Sequence, residues 1–134
     1  MFHKMLGELF SAITEGILVR VRTEFHKKHS QNGNFVFTYY ITITNTGNHT
    51  VQLMRRHWHI YDSKGTYQEV EGEGVIGQQP ILKSGQSHKY VSGCHLKSDM
   101  GKMSGTYLMK RIEDNILFEV KIPDFSLIDP VRFN

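Results

Sequence analysis

Three stretches of the chain carry residues that could do chemistry. The first is Gly72-Glu73-Gly74-Val75-Ile76-Gly77, which satisfies the spacing G-x-G-x-x-G. In dinucleotide-binding folds these glycines turn a strand tightly into a helix whose N-terminus holds a pyrophosphate. Here Pro80 follows the last glycine by three residues and a Ser84-Gly85 turn comes soon after, so no helix can start. Glu71 and Glu73 would also repel a phosphate. The stretch therefore reads as a loop in which Gly72, Gly74 and Gly77 permit positive φ or close backbone approach. A (pyro)phosphate or nucleotide held by successive backbone N–H groups is the alternative use of the same residues.

The second stretch is Arg55-Arg56-His57-Trp58-His59. On a strand, Arg55, His57 and His59 share one face, and Arg56, Trp58 and Ile60 the other. Trp58 is then a core residue. His57 and His59 are close enough to co-ligate a divalent metal, but a zinc-type site needs three or four ligands. Asp62, Cys94 and His95 are available for the third place without any spacing that selects one of them. The arginines suit an acidic partner or ion pairing with Glu69, Glu71 or Glu73.

The third is Cys94-His95. Adjacent strand residues point to opposite faces, so His95 is badly placed to act as base for the thiol, and Cys94 reads as a small buried hydrophobe. No G-x-S-x-G elbow, H-E-x-x-H pair or phosphate-binding P-loop occurs. No pair of carboxylates stands at a spacing that would divide acid and base roles. The expectation is a protein that is not an enzyme, with no catalytic residues and no cofactor.

The elements that must position these residues are strands. Phe2, Met5, Leu6, Leu9, Phe10 and Ile13 fall on one face of a helix, so residues 1–14 are expected to form an amphipathic helical extension ahead of a domain spanning 15–134. From Gly16 the period changes to two. Ile17, Val19 and Val21 alternate with polar residues, and Phe35, Phe37, Tyr39, Ile41 and Ile43 share one face of the strongest strand. Asn45-Thr46-Gly47-Asn48 is expected to fold that strand against Val51–Asp62 as a hairpin. Asp62-Ser63-Lys64-Gly65 has the residues of a type I turn. Further strands are expected at 66–70, 87–92, 105–111 and 116–122, with Pro123 and Pro130 ending regular pairing. About seven short strands with turns between them predict an all-β antiparallel sandwich.

Composition narrows the classes. The 134 residues, 39% hydrophobic and 22% charged, suit one globular domain. Sixteen Lys and Arg against thirteen Asp and Glu leave a net charge of +3, spread along the chain without the basic stripe of a nucleic-acid binder. A single cysteine excludes an intrachain disulfide and suits a reducing, cytoplasmic compartment. No apolar run approaches the ~20 residues of a membrane helix, and Glu8 interrupts any secretory signal. No nucleic acid and no membrane insertion are expected.

The order of these stretches resembles the ApaG domain. The resemblance runs through Val51-Gln52-Leu53, Arg55-Arg56-His57-Trp58, and Glu69 to Pro80. It continues through Ser84-Gly85-Gln86-Ser87, Tyr90 to Cys94, Gly101 to Tyr107, Phe118-Glu119-Val120 and Ile122 to Leu127, covering roughly residues 12 to 127. It implies an immunoglobulin-like or fibronectin-type-III-like sandwich. It also implies a short bacterial protein, also called CorD, linked to cobalt resistance and magnesium efflux. Related domains in eukaryotic F-box proteins and a DNA-polymerase-delta-interacting protein imply protein recognition. The expected function is therefore a protein-interaction or ligand-binding module. Its expected surface joins the loop Gly72, Gly74 and Gly77 to the face bearing Arg55 and His57. A protein partner, an anionic ligand or a divalent cation on His57 and His59 are the occupants weighed. Strand-edge pairing or the N-terminal segment would be the route to a homodimer.

Overall fold

The computed structural model describes residues 6–133. Among these described residues nine strands follow one another: β1 Leu6–Thr14, β2 Ile17–Phe25, β3 Phe35–Asn45, β4 Val51–Asp62, β5 Tyr67–Glu73, β6 Ile81–Leu82, β7 Ser87–Leu96, β8 Met100–Arg111 and β9 Leu117–Ile128. They form two antiparallel sheets, β1-β2-β3-β7 and β5-β4-β8-β9, with the short β6 paired to β4. The alternation read from the sequence puts Ile17, Val19 and Val21, then Phe37, Tyr39, Ile41 and Ile43, into the core from one sheet. Trp58, Met103, Tyr107, Met109, Val120, Ile122 and Phe125 meet them from the other. Trp58 stands edge-on to Phe125 at 5.8 Å and tilted against Tyr39 at 5.5 Å. The expected sandwich is the observed fold.

Three local expectations are corrected. The N-terminal helix is not present: residues 6–14 are strand β1, paired with β2 from Thr14↔Ile17 to Leu6↔Glu24. Phe2 and Met5, which contributed to the helical spacing, lie outside the described residues. From Leu9 onward the same residues also alternate, with Phe10 and Ala12 half-buried and Leu9 and Ile13 exposed. The edge of β2 offers a ladder, and Glu15-Gly16, at φ 47° and 81°, makes the two-residue turn that leads into it. Spacing alone could not weigh that partner.

The second correction concerns β3 and β4, which are not a hairpin. β3 pairs with β2 and β7, and β4 with β5, β6 and β8. The Asn45 amide holds the connection as an arch between the sheets. Its Nδ2 donates to the His49 and Leu82 carbonyls at 2.7 and 2.9 Å, and its Oδ1 accepts from the Gly47 N–H. Third, Pro123 does not end pairing. β9 continues to Ile128 through a bulge, in which Ile122 faces Gly105 and Phe125 faces Met103. An extra residue there spares the proline a ladder hydrogen bond. A comparable bulge at Met54, between Leu53 and Arg55, changes the phase of β4. Val51 and Leu53 point inward before it and Trp58 after it, which leaves Arg55, His57 and His59 on the outer face.

Candidate functional site

The two sides of the sandwich differ. On one, β1 and β2 pack against β9. On the other, the outermost strands β5 and β7 stand apart and leave a cleft of about 560 Å³. Tyr39, Trp58 and Met103 reach it from the core, Ser92 and Cys94 line the β7 wall, and Gln68 and Val70 line the β5 wall. The loop after β5 forms one lip.

The floor is aromatic and neutral. The Tyr90 and Tyr107 hydroxyls are hydrogen-bonded to each other, and Ser92 stands opposite Tyr39 in the β3–β7 ladder. Burial pushes all three phenols above their ordinary range, so they stay protonated. Cys94 is 7% exposed. Burial, reinforced by the negative charge of Asp62, lifts its thiol to about 11. A thiol held there is mostly protonated at neutral pH and is a poor nucleophile, in keeping with the reading of Cys94 as a core residue.

The glycine stretch is a piece of backbone engineering. Arg56 lies flat on Gly72, where any Cβ would come within 2.9 Å of both its Nη atoms. From there Nη1 donates to the carbonyls of Glu73 and Gly74, each at 3.0 Å. Gly74 has φ +62°, and a Cβ on it would stand 2.2 Å from the Gln78 carbonyl oxygen. Val75 and Gln78 exchange both backbone hydrogen bonds across Ile76-Gly77, at φ 47° and 73°. These angles define a type I′ turn. Ile76 is β-branched, in the left-handed region and 61% exposed at the lip of the cleft. The N–H groups of Gly74, Val75 and Gln78 are already donated, to the carbonyls of Met54, Gln78 and Val75.

The expected surface is thus divided between two faces of one sheet. Arg56, not Arg55, holds the glycine loop. Arg55 is exposed on the outer face opposite Glu73, together with His57 and His59. The histidine rings lie 4.5 Å apart and tilted by 32°. The β4–β5 register sets Glu69 opposite His59 and Glu71 opposite His57. Glu69 Oε1 is 2.7 Å from His57 Nε2 and 3.7 Å from His59 Nδ1. Glu71 Oε1 is 3.7 Å from His57 Nδ1, and the Tyr67 hydroxyl is 2.6 Å from His59 Nδ1. The hydrogen bond from His57 holds the Glu69 carboxyl below its usual range. Asp62, Cys94 and His95 do not join this group. The sequence reasoning missed Glu69 as the third member. Counting back from the Asp62–Gly65 turn, closed by Gly65 N–H to Asp62 O, would have found it.

The family model described as the ApaG domain matches residues 25–111. "Protein ApaG" of Anaeromyxobacter dehalogenans is 44% identical over 124 residues, covering 92% of this chain and 98% of that protein. "Protein ApaG" of Methylorubrum extorquens is also 44% identical, covering 91% and 95%. A crystal structure of the ApaA protein from Bordetella pertussis is 40% identical and superposes with a TM-score of 0.81, covering 90% of this chain and 95% of that one. The C-terminal domain of wzt, at 8% identity and a TM-score of 0.53, shares the fold alone. No helix among the described residues is long and apolar enough to cross a membrane.

Proposed function

The chain belongs to the ApaG domain family, and we propose that within it this protein is a non-enzymatic binding module whose cleft between β5 and β7 receives an extended segment of a protein partner. The observation that carries this reading is Ile76. Folding gains nothing by placing a β-branched residue at positive φ with most of its side chain in solvent, and such strain concentrates where a residue is displayed for recognition. Around it, the outermost strands offer backbone edges for an added strand, and the aromatic floor offers pockets for alternate side chains. The buried, protonated Cys94 supports a non-catalytic role. We place the protein in the cytoplasm, where its lone thiol stays reduced, and read the link to cobalt resistance and magnesium efflux as acting through the partner.

The test is affinity purification from the native cell with quantitative mass spectrometry, comparing wild type with Ile76→Asn. Asparagine suits the turn and removes the displayed apolar group. The expected result is loss of the co-purifying partner with melting temperature kept or raised. The same partner at the same yield would refute the cleft. A phosphate-type ligand on Gly72–Gly77 has less support, because three N–H groups of the loop are spent on carbonyls. Titrating pyrophosphate while following the amide NMR signals of Gly74 and Gly77 separates the two, since saturable shifts there would favour the anion.

A further inference from the structure

On the outer face of the same sheet, away from the cleft, we infer that His57, His59 and Glu69 bind a transition-metal dication of the zinc class. Among the described residues, these side chains can each present one ligand atom, and the three atoms lie within 4.8 Å of one another. Two imidazoles and a carboxylate suit Zn²⁺, Ni²⁺ or Cu²⁺, whereas Mg²⁺ and Ca²⁺ prefer all-oxygen shells. A tetrahedral ion with bonds near 2.05 Å spaces its ligands about 3.3 Å apart, so the widest pair need close by at most about 1.5 Å, while His57 Nε2 and Glu69 Oε1, now 2.7 Å apart, open slightly. Glu69 is exposed and the histidines half-exposed, so side-chain rotation supplies both movements without repacking the core.

The surroundings favour the ion. With His57 ligating through Nε2, its Nδ1 faces Glu71 at 3.7 Å. That is the carboxylate–imidazole arrangement that orients metal-bound histidine. The Tyr67 hydroxyl now occupies His59 Nδ1, and it must give up that bond when the ion binds. Three protein ligands leave a fourth position for water or for a group from another molecule. Binding would also tie the edge strand β5 to β4. Gln68 and Val70, the neighbours of Glu69 in sequence, line the cleft on the opposite face, so the ion would stiffen one wall. The site itself does not depend on what the cleft receives.

The experiment is isothermal titration of the full chain with ZnCl₂, repeated with MgCl₂, on wild type, His57→Gln/His59→Gln, Glu69→Gln and the control His26→Gln/His29→Gln. The control removes a second pair of neighbouring histidines, whose rings are 6.2 Å apart. The expected result is one Zn²⁺ per chain, no Mg²⁺ heat, and affinity at least ten-fold lower in Glu69→Gln and lost in the first double variant but kept in the control. Zn²⁺ should also slow hydrogen exchange of the β5 amides in wild type and in the control, but not in His57→Gln/His59→Gln. Equal Zn²⁺ affinity in wild type and the His57/His59 variant, with both folded by circular dichroism, would overturn the site.

Discussion

Asp62 shows how one side chain can carry charge at a nearly closed position. It ends β4 at 9% exposure. Burial by itself would raise its pKa, but the Ser98 hydroxyl and the N–H groups of Lys97 and Lys64 all donate to the carboxylate and together hold it below the usual range. A depressed folded-state pKa contributes stability that is present above the unfolded value near 3.9 and lost as pH falls through the folded one. Asp62→Asn should therefore cost about 2 kcal/mol at pH 7, the scale of a charge-assisted hydrogen-bond set. In denaturant titrations its deficit relative to wild type should shrink below about pH 4. Cys94 gives a second test at this scale. With its thiol near 11 and its surface covered, iodoacetamide at pH 8 should label the native protein at least 100-fold more slowly than the unfolded chain, whose thiol titrates near 8.5. Both roles were partly visible in sequence. Cys94 read as core, but Asp62 read as a turn residue or an available metal ligand and not as a held carboxylate, because its donors Lys97 and Ser98 come from a distant connection.

Elements were legible where their two faces differ and obscure where the partner decides. The alternation of Phe35 to Ile43 and of Ile17 to Val21 needed no tertiary information, and both strands stand where expected. Strand β1 was obscured because its apolar residues fit two periods and only the β2 edge chooses between them. The β3–β4 arch was obscured because a short polar connection serves a hairpin and a sheet-to-sheet crossing equally well, and a buried Asn45 tips the outcome. Turn chemistry gives the prediction that belongs here. Glu15 occupies the first central position of the β1–β2 turn at φ 47°, where asparagine is preferred. Glu15→Asn should stabilise the domain by about 0.5 kcal/mol, read as a small rise in melting temperature. The loop at the cleft answers differently to its glycine. Gly74→Ala puts a methyl into the Gln78 carbonyl at positive φ, and should cost about 2 kcal/mol or more. If Gly74→Ala melts like wild type, the account of that loop is wrong.

For the whole molecule, the sequence was sufficient for class and family and insufficient for the site. Composition and periodicity lead to an antiparallel sandwich, and the chain matches the ApaG domain over most of its length. The cleft is a property of the assembled sheets. It exists because β1 and β9 close one side while β5 and β7 leave the other open, and no local pattern encodes that asymmetry. The same holds for the division of Arg55 from Arg56, which depends on the bulge at Met54. The central claim is that a partner enters between β5 and β7. It is tested most directly by placing a photo-crosslinking phenylalanine analogue at Ile76, on the lip, or at Ile116, exposed in the connection between β8 and β9. The proteins would be irradiated in the native cell and the adducts mapped by mass spectrometry. The account predicts adducts from Ile76 to one segment of a protein partner and none to that segment from Ile116; equal adducts from both positions, or none from Ile76, would contradict it.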